Sequence, residues 1–239
     1  MGSKRNPLYS LIVIGAGGTG TYVLKELSRF LSGNDVPNIR RMTIADGDRV
    51  EEKNLARQAF QKEDIGINKA AVMADVLNSA FSLKWESYGE YITETEQLND
   101  MVYPDSIPVV VGCVDNHPCR MVLEEFFASV KDCCYLDSAN EFDTGEVVFS
   151  YKAEDTVMSP CRSHYFPKIK EKAKARTEMS CEELNNVSPQ HIATNMAAGN
   201  ILLTELCNIF NGRPSPGMVM FDLSVFSQEF VPFRKEPAI

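Results

Sequence analysis

A loop rich in glycine follows the first apolar stretch of the sequence. The residues from Leu11 to Ile14 are all apolar, and the pattern G-x-G-x-x-G follows them, with glycines at Gly15, Gly17, Gly18 and Gly20. Glycines permit a tight turn and let backbone N–H groups approach a phosphate at the positive end of the next helix. Binders of NAD, FAD, S-adenosylmethionine and ATP all use such loops. The loop therefore predicts a nucleotide without saying which one.

Charged and amide side chains further along narrow the choice. Asp46 ends the second predicted strand, where an acid accepts hydrogen bonds from ribose hydroxyls. The residues that follow it are Asp48, Asn54, Arg57, Gln58, then Lys69 at a helix start, then Asp115 and Asn116 after a buried strand. The pyrophosphate of NAD needs no such set, whereas a triphosphate does. Arg57 and Lys69 can neutralise phosphate oxygens, and Asp115 can hold Mg²⁺. The set favours ATP.

The elements that must position these residues alternate between strands and helices. Apolar runs and alternating patterns predict strands over 11–14, 40–46, 83–92, 107–114, 133–139 and 146–151. Helical periodicity predicts helices over 18–31, 67–81 and 117–130. This alternation indicates an α/β fold, a Rossmann-like and mostly parallel sheet flanked by helices. Ligands of such sheets bind at the carboxyl ends of the strands, where the candidate residues fall.

The character of the sequence changes after about Tyr151. A basic segment covers 162–176, and a long helix is predicted over 188–210 with Ser188 as its N-cap. The expected buried side of that helix consists of Ile192, Met196, Leu202, Leu203, Leu206 and Phe210. The stretch 218–233 predicts a hairpin or two end strands.

Four blocks of the sequence together resemble the adenylation domain of ThiF/MoeB-type enzymes, which are relatives of the ubiquitin-activating enzymes. The blocks are GAGGTG, DGDRVEEKNLARQ, DIGINKA and GCVDNHPCR, in this order within residues 11–150. The resemblance implies one adenylation domain over 1–239. Its parts would be a nucleotide-binding core at 11–150, a crossover loop at 151–187, and a C-terminal helix with end strands at 188–239.

The resemblance also implies a role for each matching residue. Asp46 would bind the ribose of ATP, and Asp115 would coordinate Mg²⁺. The phosphates would be bound by Asn54, Arg57 and Lys69, with Gln58 in the same pocket. The implied reaction is attack by a carboxylate on the α-phosphate of ATP, giving an acyl-adenylate and pyrophosphate. The usual carboxylate is the C-terminal glycine of a ubiquitin-like, β-grasp protein, and a conjugating or sulfur-transfer partner would follow.

Many relatives pass the acyl group on to a cysteine as a thioester. A thiol can accept it only where it is exposed and can ionise. Cys181 lies where the family's crossover loop carries its cysteine, and it is the candidate nucleophile; an inert loop cysteine is the alternative, and Cys161 is the second candidate. Cys113 and Cys207 are expected in the core.

Two departures from the family pattern bear on metal and assembly. Relatives often hold structural zinc in two C-x-x-C pairs, but this sequence has no C-x-x-C, so no structural zinc is expected. Many members begin with a helix whose arginine reaches the ATP of the partner subunit. We expect the first strand at about Leu11 and find no such helix before it. Whether this chain forms the usual homodimer of the family is therefore left open by the sequence.

Composition limits the class of protein. The formal net charge is −9 and the isoelectric point is near 5.0, which argues against broad binding to nucleic acid or anionic membranes. No stretch approaches the ~20 apolar residues of a membrane span. The polar N-terminus lacks a signal-peptide core, and the 7 cysteines form no disulfide framework. We expect a cytoplasmic protein with reduced thiols.

Three alternatives remain open from the sequence. The first is an adenylating enzyme that acts on a peptide or RNA carboxylate without a thioester. The second is an NAD-dependent oxidoreductase, which the glycine loop and Asp46 would permit. The third is a non-catalytic subunit that keeps the fold as a scaffold.

Overall fold

The computed structural model of the protein describes residues 7–33, 38–56, 58–169 and 191–234. The strands are β1 Tyr9–Ile14, β2 Ile39–Ala45, β3 Trp85–Tyr88, β4 Ile107–Gly112, β5 Cys133–Asn140, β6 Thr144–Ala153, β7 Thr156–Ser159, β8 Gly217–Asp222 and β9 Ser227–Pro232. The α-helices are α1 Gly18–Gly33, α2 Lys69–Phe81, α3 Thr95–Asn99, α4 His117–Ser129, α5 Arg162–Tyr165 and α6 Ile192–Phe210. Short 3₁₀ turns cover Glu52–Asn54, Lys62–Asp64 and Pro167–Ile169.

All of these strands belong to one sheet with the order β3-β2-β1-β4-β5-β6-β8-β9, and β7 pairs with β6. The pairs β3–β2, β2–β1, β1–β4 and β4–β5 are parallel. The pairs β5–β6, β6–β8 and β8–β9 are antiparallel. The mixed α/β sheet with a parallel, Rossmann-like part confirms the predicted fold class. The end strands β8 and β9 form the predicted hairpin.

Helices cover both faces of the parallel part. Leu11 and Val13 of β1 face one side, where they join the core under α1, α2 and α6. Ile12 and Ile14 face the other side and pack with α3 and α4. Because successive side chains of a strand point to opposite faces, a strand covered on both sides must be apolar throughout. The run of apolar residues in β1 therefore reflects its central position.

The last long helix is where the sequence prediction was partly wrong. The helix begins at Ile192, with His191 as its N-cap, and Ser188 lies outside the described residues. Ile192 is 50% exposed and Met196 is 44% exposed, although both were expected to be buried. In the first turns, Thr194, Asn195 and Ala198 take the buried side, where α6 packs closely against α1. Leu202, Leu206 and Phe210 are buried as predicted, so the error is confined to the start of the helix.

One further strand differs from its predicted limits. The predicted strand 83–92 ends at Tyr88, and the short helix α3 follows it. Among the described residues, no helix has both the length and the apolar character that crossing a bilayer requires.

Candidate functional site

The carboxyl ends of β2, β1 and β4 lie side by side. Ile14 at the end of β1 pairs with Ala45 of β2 and with Gly112 of β4. The backbone continues this alignment, since Gly15 N donates to Ala45 O over 2.8 Å and Cys113 N donates to Ile14 O over 2.8 Å. β2 lies on one side of β1 and β4 on the other, so the connections that follow β1 and β3 run to opposite sides of β1. The loops after β1 and β4 therefore diverge and leave a crevice between them. The glycine loop and the segments that carry Asp46 and Asp115 therefore share one edge.

Three of the four glycines in the loop are required by close packing. Gly15 has φ +92°, and a Cβ there would lie 2.5 Å from Cys113 O. A Cβ on Gly20 would lie 1.8 Å from Gly15 O, and one on Gly18 would lie 2.1 Å from Asn195 Nδ2. Each of these distances is too short for a non-bonded contact, so packing within the fold accounts for these glycines.

Gly17 has no such explanation. A Cβ there would have no atom of the described residues within 4 Å, and the φ of Gly17 is not positive. Gly17 directly precedes α1, whose first N–H groups lack partners within the helix. The open space above Gly17 lets a phosphate approach the backbone at the positive end of α1. The missing side chain therefore fits a ligand better than it fits the fold.

Asp46 ties the glycine loop to the end of β2. Its Oδ2 accepts from Ala16 N over 2.6 Å, and its Oδ1 accepts from Asp48 N over 2.8 Å. Burial raises the pKa of Asp46, and the N–H groups of Asp48 and Ala16 and the charge of Lys69 oppose that shift. Each carboxylate oxygen keeps a second lone pair, so this position still permits the predicted contact with ribose.

The ammonium group of Lys69 is already paired. Lys69 begins α2, its side chain is 7% exposed, and its Nζ lies 3.0 Å from Asp48 Oδ2. The other oxygen of Asp48 accepts from the hydroxyl of Tyr91. An ammonium has three donors, so Lys69 can bind Asp48 and a phosphate oxygen together. The ion pair fixes where that ammonium lies.

Sequence reasoning missed Asn68 and Tyr91 in this neighbourhood. Asn68 caps α2, and its amide also donates to Asp46 O over 2.7 Å and to Asp48 O over 3.1 Å. An Asn before a helical pattern is a recognisable N-cap, so Asn68 could have been found. Tyr91 carried no signal, because the stretch around it was interpreted as a strand.

The segment after β2 contains two candidate nucleotide-binding residues that have amide side chains. Asn54 is 3% exposed, and its Oδ1 accepts from Glu51 N over 2.8 Å, which closes a 3₁₀ turn. Gln58 N donates to Asn54 O over 2.9 Å. The Gln58 Oε1 atom is buried and has no hydrogen-bond partner among the described residues. A buried acceptor without a partner is costly, so a donor from a ligand would suit this position. Arg57 lies outside the described residues.

Asp115 and Asn116 follow β4. Asp115 is exposed at the carboxyl edge of the sheet. Asn116 caps α4, and its side chain accepts from Cys119 N over 2.9 Å. The structure thus shows a structural task for Asn116, whereas its contact with a nucleotide stays a prediction.

A magnesium ion would find few protein ligands here. Within the described ranges, no three His, Cys, Asp or Glu side chains form a group that could hold a metal. Mg²⁺ usually binds through one or two carboxylates together with the phosphates of a substrate. The exposed carboxylate of Asp115 could supply one protein ligand to an ion that is already bound to phosphates.

Four of the six described cysteines are poor nucleophiles, whereas Cys161, the second candidate, is only partly buried. Burial raises the pKa of Cys113, Cys119 and Cys134 to about 12. Burial also holds the pKa of Cys133 well above its usual value. Cys181, the candidate nucleophile, lies outside the described residues.

Comparisons with known proteins concern the sequence and the fold of this chain. The model of the ThiF family matches residues 7–238. The sulfur carrier protein adenylyltransferase of Thermus thermophilus is 30% identical over 169 residues, which are 70% of this chain and 59% of the relative. The adenylyltransferase and sulfurtransferase MOCS3-1 of Zea mays is 31% identical over 139 residues, or 56% of this chain and 26% of the relative. The chain thus spans less than two thirds of either relative.

Solved structures share the fold. E. coli MccB with AMPCPP and MccA gives a TM-score of 0.69 at 16% identity, over 95% of this chain and 64% of that one. PaaA gives a TM-score of 0.68 at 15% identity, over 95% of this chain and 64% of that one. At these identities the likeness concerns the fold alone.

Proposed function

The chain belongs to the ThiF family, and from that premise we propose that it uses ATP to adenylate the C-terminal carboxylate of a protein or peptide. The observation that carries the proposal is the open space at Gly17 before α1, beside three glycines that the fold itself requires. Asp46 follows β2 and Asp115 follows β4, on either side of β1, and Lys69 at the start of α2 is paired with Asp48. A nucleotide with a triphosphate uses the anion site at α1, the ammonium of Lys69 and the carboxylate of Asp115.

The reaction needs positioning and charge more than covalent help from the protein. An oxygen of the substrate carboxylate attacks the α-phosphorus of ATP. The bond between that phosphorus and the oxygen bridging to the β-phosphate breaks, and pyrophosphate leaves with its electrons. The start of α1, Lys69 and Arg57 hold the phosphates in place, and Asp46 holds the ribose. Mg²⁺ neutralises phosphate charge when bound, and Asp115 would hold it.

The names of similar proteins suggest the class of acyl substrate. One relative is named for a sulfur carrier protein, and MccB was solved together with MccA. We propose a ubiquitin-like, β-grasp protein as the substrate and a peptide as the alternative. A thioester step would follow if the thiolate of Cys181 attacked the acyl carbon and AMP left. A Cys181→Ala variant that keeps full overall turnover would exclude this step.

Thermal unfolding tests the nucleotide. We would compare wild type and Asp115→Ala with Mg²⁺ and ATP, with ATP and EDTA, and with NAD. A ligand at 100 times its Kd adds about 2.7 kcal/mol, which raises the Tm of a chain this long by several degrees. We expect a rise with ATP and Mg²⁺ that weakens in Asp115→Ala. A rise with NAD and none with ATP would favour the oxidoreductase instead.

Turnover separates an enzyme from a scaffold. With a cognate substrate, we expect release of pyrophosphate that Asp115→Ala abolishes. If ATP bound normally and Asp115→Ala released pyrophosphate as fast as wild type, the assigned role of Asp115 would be wrong.

A further inference from the structure

A buried cluster of charges lies behind the loop that carries Asp115. At its centre is Asp137 of β5, which is 0% exposed. Its Oδ1 accepts from Arg120 Nε over 3.1 Å, and its Oδ2 accepts from Arg162 Nε. Arg162 also pairs with the carboxylate of Glu146 on β6. Two guanidinium groups and two carboxylates therefore balance in charge.

One end of the cluster reaches the Asp115 loop. Arg120 Nη2 donates to Val114 O over 2.6 Å and to Ser138 O over 2.9 Å. Val114 directly precedes Asp115, so Arg120 holds the carbonyl of the peptide bond that joins these two residues. Arg120 can do this only in the orientation that its bond to Asp137 imposes.

The other end of the cluster is Arg162, the first residue of α5. Arg162 is 1% exposed, and its Nη2 donates to Asp137 O over 2.9 Å and to Glu146 O over 3.2 Å. Ser163 N donates to Glu124 Oε1 of α4 over 2.8 Å. The segment after β7 is thereby held against α4 and the centre of the cluster.

Stability alone is a weak reason for such a cluster. Burying charges carries a large desolvation penalty, and well-packed apolar side chains often stabilise a core as well or better. Hydrogen bonds from a guanidinium group instead fix the orientation of their acceptors, because its N–H donors lie in one rigid plane. The cluster holds four backbone carbonyls and links two separate segments, which is what positioning requires.

We propose that Arg162 is a positioning residue for the binding of metal-loaded ATP, acting through Asp137 and Arg120 on the loop that presents Asp115. This inference rests on the proposed function. Residues that orient a metal ligand from behind typically change metal affinity or activity by about 10–100-fold when mutated.

Binding of ATP with and without Mg²⁺ tests the inference, and it needs no acyl substrate. The quantity to compare is the ratio of the Kd for ATP in EDTA to the Kd for ATP with Mg²⁺. We expect Arg162→Lys, which keeps the charge but loses the fork, to lower this ratio about tenfold, toward the value of Asp115→Asn. Metal-free ATP should bind the variant as it binds wild type.

Arg41→Lys is the matched control. Arg41 also makes a forked contact, to Glu86 and to Asp100 O, but it lies away from the Asp115 loop. This variant should keep the wild-type ratio. If Arg162→Lys fails to fold, Glu146→Gln replaces it, since it weakens only the outer contact of Arg162 and should lower the ratio less.

Two outcomes would overturn the inference. The first is a lower Tm in Arg162→Lys with an unchanged ratio of the two Kd values, which would leave the cluster a purely structural role. If Glu146→Gln has to replace that variant, an unchanged ratio in it would lead to the same conclusion. A wild type that binds no ATP at all would overturn the proposed function, and the inference with it.

Discussion

The side-chain amide of Asn195 lies so close to Gly18 that a methyl group on Gly18 would come within 2.1 Å of Asn195 Nδ2. Thr19 Oγ1, on the next residue, donates to Asn195 Oδ1 over 3.2 Å. Asn195 is 1% exposed and belongs to the first turn of α6. The starts of α1 and α6 are therefore joined, and the C-terminal helix helps to hold the glycine loop.

Gly18→Ala should destabilise the protein by about 1–3 kcal/mol, because the added carbon must displace the Asn195 amide. Urea unfolding measures the free energy of unfolding. A loss below about 0.5 kcal/mol, within the range of surface substitutions, would show that the contact relaxes freely.

Gly17→Ala should behave in the opposite way. No described atom lies near the added carbon, so the free energy of unfolding should fall by no more than about 1 kcal/mol, the preference for glycine over alanine directly before a helix. Calorimetry should nevertheless show a Kd for ATP with Mg²⁺ about tenfold higher, equal to ~1.4 kcal/mol, because the carbon occupies the place of a phosphate. Wild-type affinity in this variant would remove the main support for the nucleotide site.

Asn116→Ala should cost about 1 kcal/mol of stability, because α4 loses its N-cap bond to Cys119 N. Asn116→Ser is the matched control, since serine caps helices about as well. If Asn116 also binds nucleotide, the serine variant will restore stability but not the affinity for ATP. Restoration of both would assign Asn116 to capping alone.

Asp48→Asn should destabilise the protein by about 1–3 kcal/mol, because Lys69 would remain buried with a neutral partner. Lys69→Met combined with Asp48→Asn should recover part of this loss, giving a coupling energy of at least ~0.5 kcal/mol in a double-mutant cycle. The exposed pair of Arg41 and Glu86 is the control, and its coupling should be smaller. Additive effects at Lys69 and Asp48 would contradict the pairing.

Thiol labelling at pH 8 should spare Cys113, Cys119 and Cys134. A rise in pKa from 9.0 to about 12 keeps the thiol protonated, and it lowers the thiolate fraction at pH 8 about a thousandfold. Their labelling rate should rise about tenfold with each pH unit above 8 and level off only near pH 12. Mass spectrometry locates the label on each peptide. Rapid labelling of these three in the folded protein would show that they are accessible.

Much of the site could be predicted because its residues follow strands. Asp46 and Asp115 each come after an apolar run, and parallel strands bring such positions to one edge. Local patterns also gave the glycine loop and the start of α2 near Lys69. These inferences needed only the order of neighbouring elements.

The rest depends on contacts between residues that are distant in the sequence. Asn195 meets Thr19 across 176 positions, and Arg162 meets Asp137 across 25. Neither contact leaves a periodic or local signal. The burial of Ile192 and Met196 at the start of α6 was mispredicted for the same reason, since the element that packs there against small residues is α1.

The four glycines of the loop are subject to two different kinds of selection. Three are favoured by contacts within the fold, whether or not a descendant keeps a ligand. Gly17 is free to drift once nucleotide binding is no longer under selection, and a single base change in its codon is enough. In a lineage that retained only the fold, position 17 would be the first of the four to vary. A glycine there would therefore indicate that nucleotide binding is still under selection.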